Sequence, residues 1–342
     1  MRLGDIARES RETFKGDKTD VPIVGLEHLI SQELRFTDYE VNTDNTFTKS
    51  FRKGQILFGR RRAYLKKAAI AEIDGVCSGD ITVIEAIPGK VDSQLLPFII
   101  QNDRFFDFAV SHSAGGLSPR VKWEHLADYE LELPSIEEQR VLAKKLWAAY
   151  ELKEAYKKMI AAIDEMVKSQ FIEMFERPEQ CKSRLGDLVS IRTGKLDANA
   201  ASENGLYPFF TCGTETLSID TYAFDCEAVL LAGNGEFCVK YYNGKFNAYQ
   251  RTYVIESKDK NVLSGPFLFA WLQQYAVKLK EIAIGGVIKY IKMGDLTEAS
   301  IYIPSIEKQN QFVAIAQQAD KSKFELQQAI DKIDKVMKSL LN

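Results

Sequence analysis

Leu133-Pro-Ser-Ile-Glu-Glu-Gln139 returns 170 residues later as Ile303-Pro-Ser-Ile-Glu-Lys-Gln309. Around this pair the chain repeats itself in collinear order. Gly115-Gly116 recurs as Gly285-Gly286, Val83-Ile84-Glu85 as Val254-Ile255-Glu256, Pro97-Phe98 as Pro266-Phe267, and Arg2-Leu-Gly-Asp-Ile6 as Arg184-Leu-Gly-Asp-Leu188. One match is chance, but five in order are a duplicated unit. The offset shrinks from 182 at the first motif to about 170 at the later ones, which places an insertion in the front part of the first copy. Any fold for this chain must therefore be buildable twice.

Each copy has a front region of short β-type runs bounded by Gly, Asn and Asp. Examples are Gln55-Ile-Leu-Phe58, Ile81-Thr-Val-Ile84, Ala228-Val-Leu-Leu-Ala232 and Thr252-Tyr-Val-Ile255. A helical segment lies near each Pro-Phe, from Leu95 to Phe108 and from Pro266 to Ile282, so each front region reads as a mixed α/β module. After the Pro-Ser-Ile-Glu motif each copy predicts one long helix. Ser135 can cap the first, with Glu138 closing a capping box, whereas Ser305 faces Lys308 and its box is incomplete.

In the first helix Leu142, Leu146, Ala149, Lys153, Tyr156, Ile160, Ile163, Val167, Gln170 and Met174 follow alternating steps of four and three. In the second, Phe312, Ala316, Ala319, Lys323, Leu326, Ile330, Ile333, Met337 and Leu340 each fall 170 residues after a member of the first series. A stripe sustained over about four heptads is a coiled-coil seam. At 1.5 Å per residue each helix runs roughly 55 to 60 Å, too long for a small domain to cover. Two matching helices in one chain can bury their seams on each other. Pseudo-twofold repetition then requires them to run antiparallel, with one front domain near each end. The expected fold class is α+β: two pseudo-symmetric mixed α/β domains, 1–134 and 179–304, separated by two long helices, 135–178 and 305–342, that form an antiparallel coiled coil.

With 342 residues, 45% of them apolar and 27% charged, the chain has material for two domains of ordinary size. No apolar run approaches the roughly 20 residues needed to span a bilayer, and the N-terminus lacks the apolar core of a secretory signal. The five cysteines (Cys77, Cys181, Cys212, Cys226 and Cys238) are scattered, never in a Cys-x-x-Cys pair, which suits a reducing cytoplasm and not a zinc ribbon. No phosphate-cradling loop is present, since Gly194-Lys195 is followed by Leu196 and Gly233-Asn-Gly235 stands alone. The nine prolines are never adjacent, which excludes the Pro-Pro motif of amino-methyltransferases, and His28, His112 and His125 lack ligand partners at metal spacing. The residues predict no catalytic centre, no metal and no cofactor.

The net charge of −3 argues against a polyanionic partner on average and suits a protein-binding scaffold. Locally the picture differs. Between Phe51 and Ile70 stand Arg52, Lys53, Arg60, Arg61, Arg62, Lys66 and Lys67 with no acid, a run that serves either as a solvated face or as a phosphate-binding surface. Ser113-Ala-Gly115-Gly116 leads to Arg120, Lys122 and Trp123, and Gly285-Gly286 leads to Lys289 and Lys292. Such loops are either turns between helix and strand or sites where glycine lets a backbone approach a ligand while the basic residues meet phosphates and base edges. Arg60, Arg61, Arg62, Lys66, Ser113, Gly115, Gly116, Arg120, Lys122, Trp123, Lys240, Arg251, Gly285, Gly286, Lys289 and Lys292 are the candidate DNA-facing residues. The candidate seam of the helix pair is Leu142, Leu146, Tyr156, Ile160, Ile163 and Val167 against Phe312, Leu326, Ile330, Ile333, Met337 and Leu340.

The two Pro-Ser-Ile-Glu helix entrances, the Arg-Leu-Gly-Asp starts and the segments Gly79-Asp-Ile-Thr-Val-Ile84 and Gln250-Arg-Thr-Tyr-Val-Ile255 together resemble the specificity subunit of Type I restriction–modification systems. The resemblance covers essentially the whole chain. It departs in having Ser135 and Ser305 where the family usually carries a second proline, and in being compact. It implies two target-recognition domains, each reading one half of a bipartite double-stranded DNA site, with the helix pair as a ruler. It also implies two methyltransferase subunits as partners, restriction subunits reached through them, a cytoplasmic location, no membrane, and methylation chemistry that belongs to those partners.

Overall fold

A computed structural model describes residues 1–175 and 182–341. The expected boundary at 178/179 and Cys181 lie outside them. The chain forms two compact units, Met1–Tyr156 with Gln328–Asn342, and Lys157–Gln327. Each takes one half of each long helix.

In the first unit an antiparallel sheet has the order Ala7–Glu9, Ile81–Ala86, Ile56–Gly59, Ala68–Ile70. In the second, Val189–Thr193, Thr252–Ser257, Phe224–Ala232 and Val239–Ala248 stand in the same order, all antiparallel. The duplicated sequence thus builds a duplicated four-strand core. The additions differ. The first unit packs a separate three-stranded sheet, Ile23–Val24, Gly75–Cys77 and Lys49–Phe51. The second extends its sheet with Tyr207–Phe210, parallel to Val239–Ala248, and Thr216–Ile219.

The helical segment expected across Leu95 to Phe108 is two helices, Leu96–Ile100 and Asp103–Ser111, because the Asn102 side chain accepts from the Arg104 N–H and restarts the chain as a cap. Its counterpart Gly265–Ile282 has no such residue and runs unbroken, capped by Ser264. Both lay an apolar face on the sheet. Phe98 meets Trp147 of the first long helix edge-on at 5.1 Å, and Phe267 packs on Phe171 and Phe175.

The long helices are Ile136–Phe175 and Ile306–Leu341. Ser135 and Glu138 form the expected box: the Ser135 N–H donates to Glu138 Oε2 at 2.9 Å and the Glu138 N–H to Ser135 Oγ at 3.4 Å. The glutamine ending each motif explains more. Gln139 and Gln309 are buried; Gln139 donates to the Pro134 carbonyl and accepts from the Asp92 N–H, while Gln309 donates to Pro304 and Val262 and accepts from the Ser264 N–H. Each glutamine ties the start of its helix to the front domain, and leaving those buried backbone groups unpaired would cost about 1 to 3 kcal/mol.

Within each unit the two helix halves run antiparallel. In the first, Lys153 Nζ meets Asp334 Oδ1 at 2.7 Å, while Met337 and Leu341 reach the core around Leu146 and Ala143. In the second, Lys323 meets Asp164 at 2.8 Å and Phe312 packs on Phe171 and Phe175. The two ion pairs are one pair repeated: moving either residue of the first by 170 gives a residue of the second. A lysine within an apolar seam fixes register and orientation at some expense of stability, and here both copies use it.

Candidate nucleic-acid interface

Both units carry the same hairpin between the end of the front helix and a short following helix. In the first, Ala114 and Arg120 exchange two backbone hydrogen bonds of 2.9 Å; in the second, Ile284 and Tyr290 do so at 3.1 and 2.8 Å. Gly115 (φ +119°) and Gly285 (φ +124°) open the turn in a conformation that side-chain-bearing residues rarely adopt. Each hairpin then pairs with the segment that follows a central strand. Arg61 forms a bridge with Arg120, and the Arg62 N–H donates to the Pro119 carbonyl at 2.8 Å; Asn234 forms the matching bridge with Tyr290, and the Gly235 N–H donates to the Lys289 carbonyl at 3.0 Å. The basic triplet Arg60-Arg61-Arg62 therefore occupies the place that Gly233-Asn234-Gly235 takes in the other unit.

Around this frame the side chains differ. In the first unit Asp80 accepts from Arg120 Nε at 2.6 Å and from Arg61 at 3.3 Å, and Arg61 also donates to Ser118 Oγ at 3.0 Å. These partners, the Arg120 hydrogen bond foremost, hold the Asp80 carboxyl below its ordinary range although partial burial opposes them. In the second unit the position matching Asp80 is Arg251, whose carbonyl accepts from the Gly233 N–H at 2.8 Å. An Arg–Asp–Arg cluster faces one solvent region; Asn234, Arg251 and Tyr290 stand at the same positions of the other.

Residues 179–335 match the family described as the Type I restriction modification DNA specificity domain. A curated relative, the Type I restriction enzyme EcoDI specificity subunit of Escherichia coli, is 50% identical over 125 residues, 36% of this chain and 28% of that protein. Residues 179–335 are thus similar to Type I DNA specificity domains. Two solved chains share the fold of this chain along its whole length. One is the S subunit of a Type-I restriction-modification system from M. genitalium, at 14% identity and TM-score 0.63. The other, from work on complex assembly and conformational transition of the type I R-M system, is at 18% identity and TM-score 0.61. This chain covers 95% of each.

The repeated Arg-Leu-Gly-Asp starts are scaffold. The Leu3 N–H donates to the Tyr129 carbonyl and the Leu185 N–H to Ala299, both at 2.8 Å, while Arg2 pairs with Asp128 and Arg184 with Glu298. The glycine is needed for closeness: a Cβ on Gly186 would lie 3.0 Å from the Thr297 carbonyl oxygen.

Of the candidate DNA-facing residues, Arg60, Arg61, Arg62, Gly115, Gly116, Arg120 and Lys122 lie in or against the first hairpin. Arg62 is exposed and in the left-handed region (φ +55°), with its guanidinium at 3.4 Å from Ser118 Oγ. Lys66 is drawn away to Asp103 at 2.6 Å, which Lys338 also holds. Ser113 closes the preceding helix by donating to the Ala109 carbonyl, and Trp123 packs on the core. In the second unit Gly285, Gly286, Lys289 and Lys292 share the exposed hairpin region. Lys240 lies on the sheet, where burial lowers its ammonium pKa and its Nζ donates a hydrogen bond to the Glu215 carbonyl at 2.7 Å. Most seam residues are buried or half-buried; Leu340, near the chain end, is exposed.

Asp80 is what sequence reasoning passed over, an acid that lies only in space among the basic run. Asp80→Asn is expected to cost about 1 to 2 kcal/mol at neutral pH by removing charge-assisted hydrogen bonds. Because the folded carboxyl titrates below its unfolded value, that stabilisation is present above the ordinary aspartate pKa of about 4 and fades as pH falls through the folded one. Urea denaturation at pH 7 and pH 3 should show a gap between variant and parent at the first and a much smaller one at the second.

Among the described residues no cluster of His, Cys, Asp or Glu is arranged to hold a metal, and no helix is long and apolar enough to cross a membrane.

Proposed function

We propose that the chain is a non-catalytic, cytoplasmic reader of double-stranded DNA in which residues 1–134 and 179–304 are target-recognition domains for the two halves of a bipartite site. The long helices Ile136–Phe175 and Ile306–Leu341 set the gap between the halves and recruit two methyltransferase subunits, through which restriction subunits join. The observation that carries this reading is the pair of matching hairpins on one shared frame whose side chains differ at corresponding places. A duplicated enzyme would keep its chemistry in both copies; a duplicated reader of an asymmetric site changes it. The likeness of residues 179–335 to the Type I DNA specificity domain supports the same role, and the chain spans 28% of the length of the curated relative it matches.

On this reading Arg62 and Lys289 contact phosphate or base edges from equivalent hairpins. Titrating the full chain with a duplex at several salt concentrations tests it. Arg62→Ala and Lys289→Ala should each weaken binding and lower the slope of log affinity against log salt by about one. Unchanged affinity and slope in both variants, or no duplex binding by the parent chain, would instead favour a protein-interaction scaffold, for which the net charge of −3 is the better match.

A further inference from the structure

The tip of each hairpin is apolar and its side chains stand largely in solvent. Leu117, two residues after Gly115, is 96% exposed; Val287, two after Gly285, is fully exposed, and its neighbour Ile288 is 61% exposed. Folding alone gives no reason to hold a large aliphatic side chain in water at the same position twice. Single exposed apolar residues are common on protein surfaces. Here, however, the position repeats, the turn beneath it is braced by two-way backbone hydrogen bonds, and cations flank it. In the first unit the Arg62 guanidinium lies 3.5 Å from the Leu117 carbonyl and Arg61 donates to Ser118, while Lys289 and Lys292 follow the second tip. A rigid aliphatic point ringed by positive charge complements a base stack between two phosphate strands, and proteins that kink DNA insert such side chains between base steps.

We propose that Leu117 and the Val287-Ile288 pair are wedges that enter the base stack, one in each half-site, so that each half is selected partly by how readily one step unstacks. This rests on the DNA-reading role above and adds a mode of readout to it. Pyrimidine–purine steps, which open most easily, are the expected targets. The Leu117 and Val287 side chains are almost fully exposed and that of Ile288 mostly so, so substitution there should leave the fold intact.

The test uses the full chain and a duplex enriched by it from a random pool, with 2-aminopurine placed at successive positions. Parent protein should raise the fluorescence at one step in each half-site. Leu117→Ser should abolish the rise in one half only, and Val287→Ser with Ile288→Ser in the other only. Each change should weaken binding to the enriched duplex by about tenfold while altering affinity for random duplex less than about twofold. Leu117→Met should restore the signal. If the parent binds the enriched duplex without any rise, or the serine variants bind it as tightly as the parent, the wedge is overturned and DNA reading stands. If no duplex is enriched over the random pool, the reading itself fails and the wedge with it.

Discussion

Phe312→Ala should destabilise the second unit by about 3 to 5 kcal/mol, the range for removing a buried aromatic ring that its surroundings cannot replace. Phe312 is 1% exposed, with its ring 5.3 Å from Phe171 and 5.5 Å from Phe175, and both of those rings also pack on Phe267. Four phenylalanines from two long helices and the front helix thus lock together where the second long helix begins. The loss is a large share of the roughly 5 to 15 kcal/mol that holds an ordinary domain folded. The matching position in the other copy, Leu142, is only half-buried, and Leu142→Ala should cost less. Denaturant titrations of both variants measure this. A loss below about 1 kcal/mol for Phe312→Ala would mean that the helix halves are not packed along the stripe their spacing defines.

That stripe was legible because a helix writes its buried face into the sequence at a fixed period, and no other element is needed to read it. The period also located Lys153 and Lys323 as matched interruptions. What it could not supply was their partners. Asp334 and Asp164 each sit one position beyond a stripe residue, Ile333 and Ile163, and only the antiparallel pairing brings them opposite the lysines. The doubling of the front domains was legible for a similar reason, since short motifs survive at fixed offsets. The different sheet additions were not, because the strands that make them lie where the two copies no longer match.

The candidate site was read less completely. The run from Arg52 to Lys67 contains no acid, yet Arg52 pairs with Glu12, Arg61 with Asp80 and Lys66 with Asp103. Charge compensation acts through space at a few ångströms, so a local count of charges overstates the free positive surface. The motifs that carried the resemblance have structural explanations: Gln139 and Gln309 hold the helix entrances, and the Arg-Leu-Gly-Asp starts dock beside the short helices that follow the hairpins. Residues that build the frame repeat, whereas Arg61 against Asn234, Asp80 against Arg251 and Arg120 against Tyr290 do not. Divergence at equivalent places in a duplicated frame is a better guide to what is read than basic composition.

Lengthening both long helices by one heptad should abolish recognition of the original site and create recognition of a longer one. The residues to extend follow from the repeated ion pair: the point midway between Lys153 and Asp164 is the 158/159 bond, and that midway between Lys323 and Asp334 is the 328/329 bond. Seven residues inserted at each keep the apolar stripe and both lysine–aspartate pairs in step. They add about 10 Å of helix, close to three base pairs of duplex. On the proposed role of the helix pair, the preferred gap between half-sites grows by about three base pairs while the bases read in each half stay the same. Affinity for the original site should fall about a thousandfold or more, towards the non-specific level. Insertion in one helix alone puts the stripe out of register and should destabilise the chain, which separates a spacing effect from a tolerated loop. Selection of duplexes from a random pool by parent and double-insertion chains reads the gap directly. An unchanged gap in the double-insertion chain, with the fold intact, would remove the helices from the measurement of distance and leave them only a structural role.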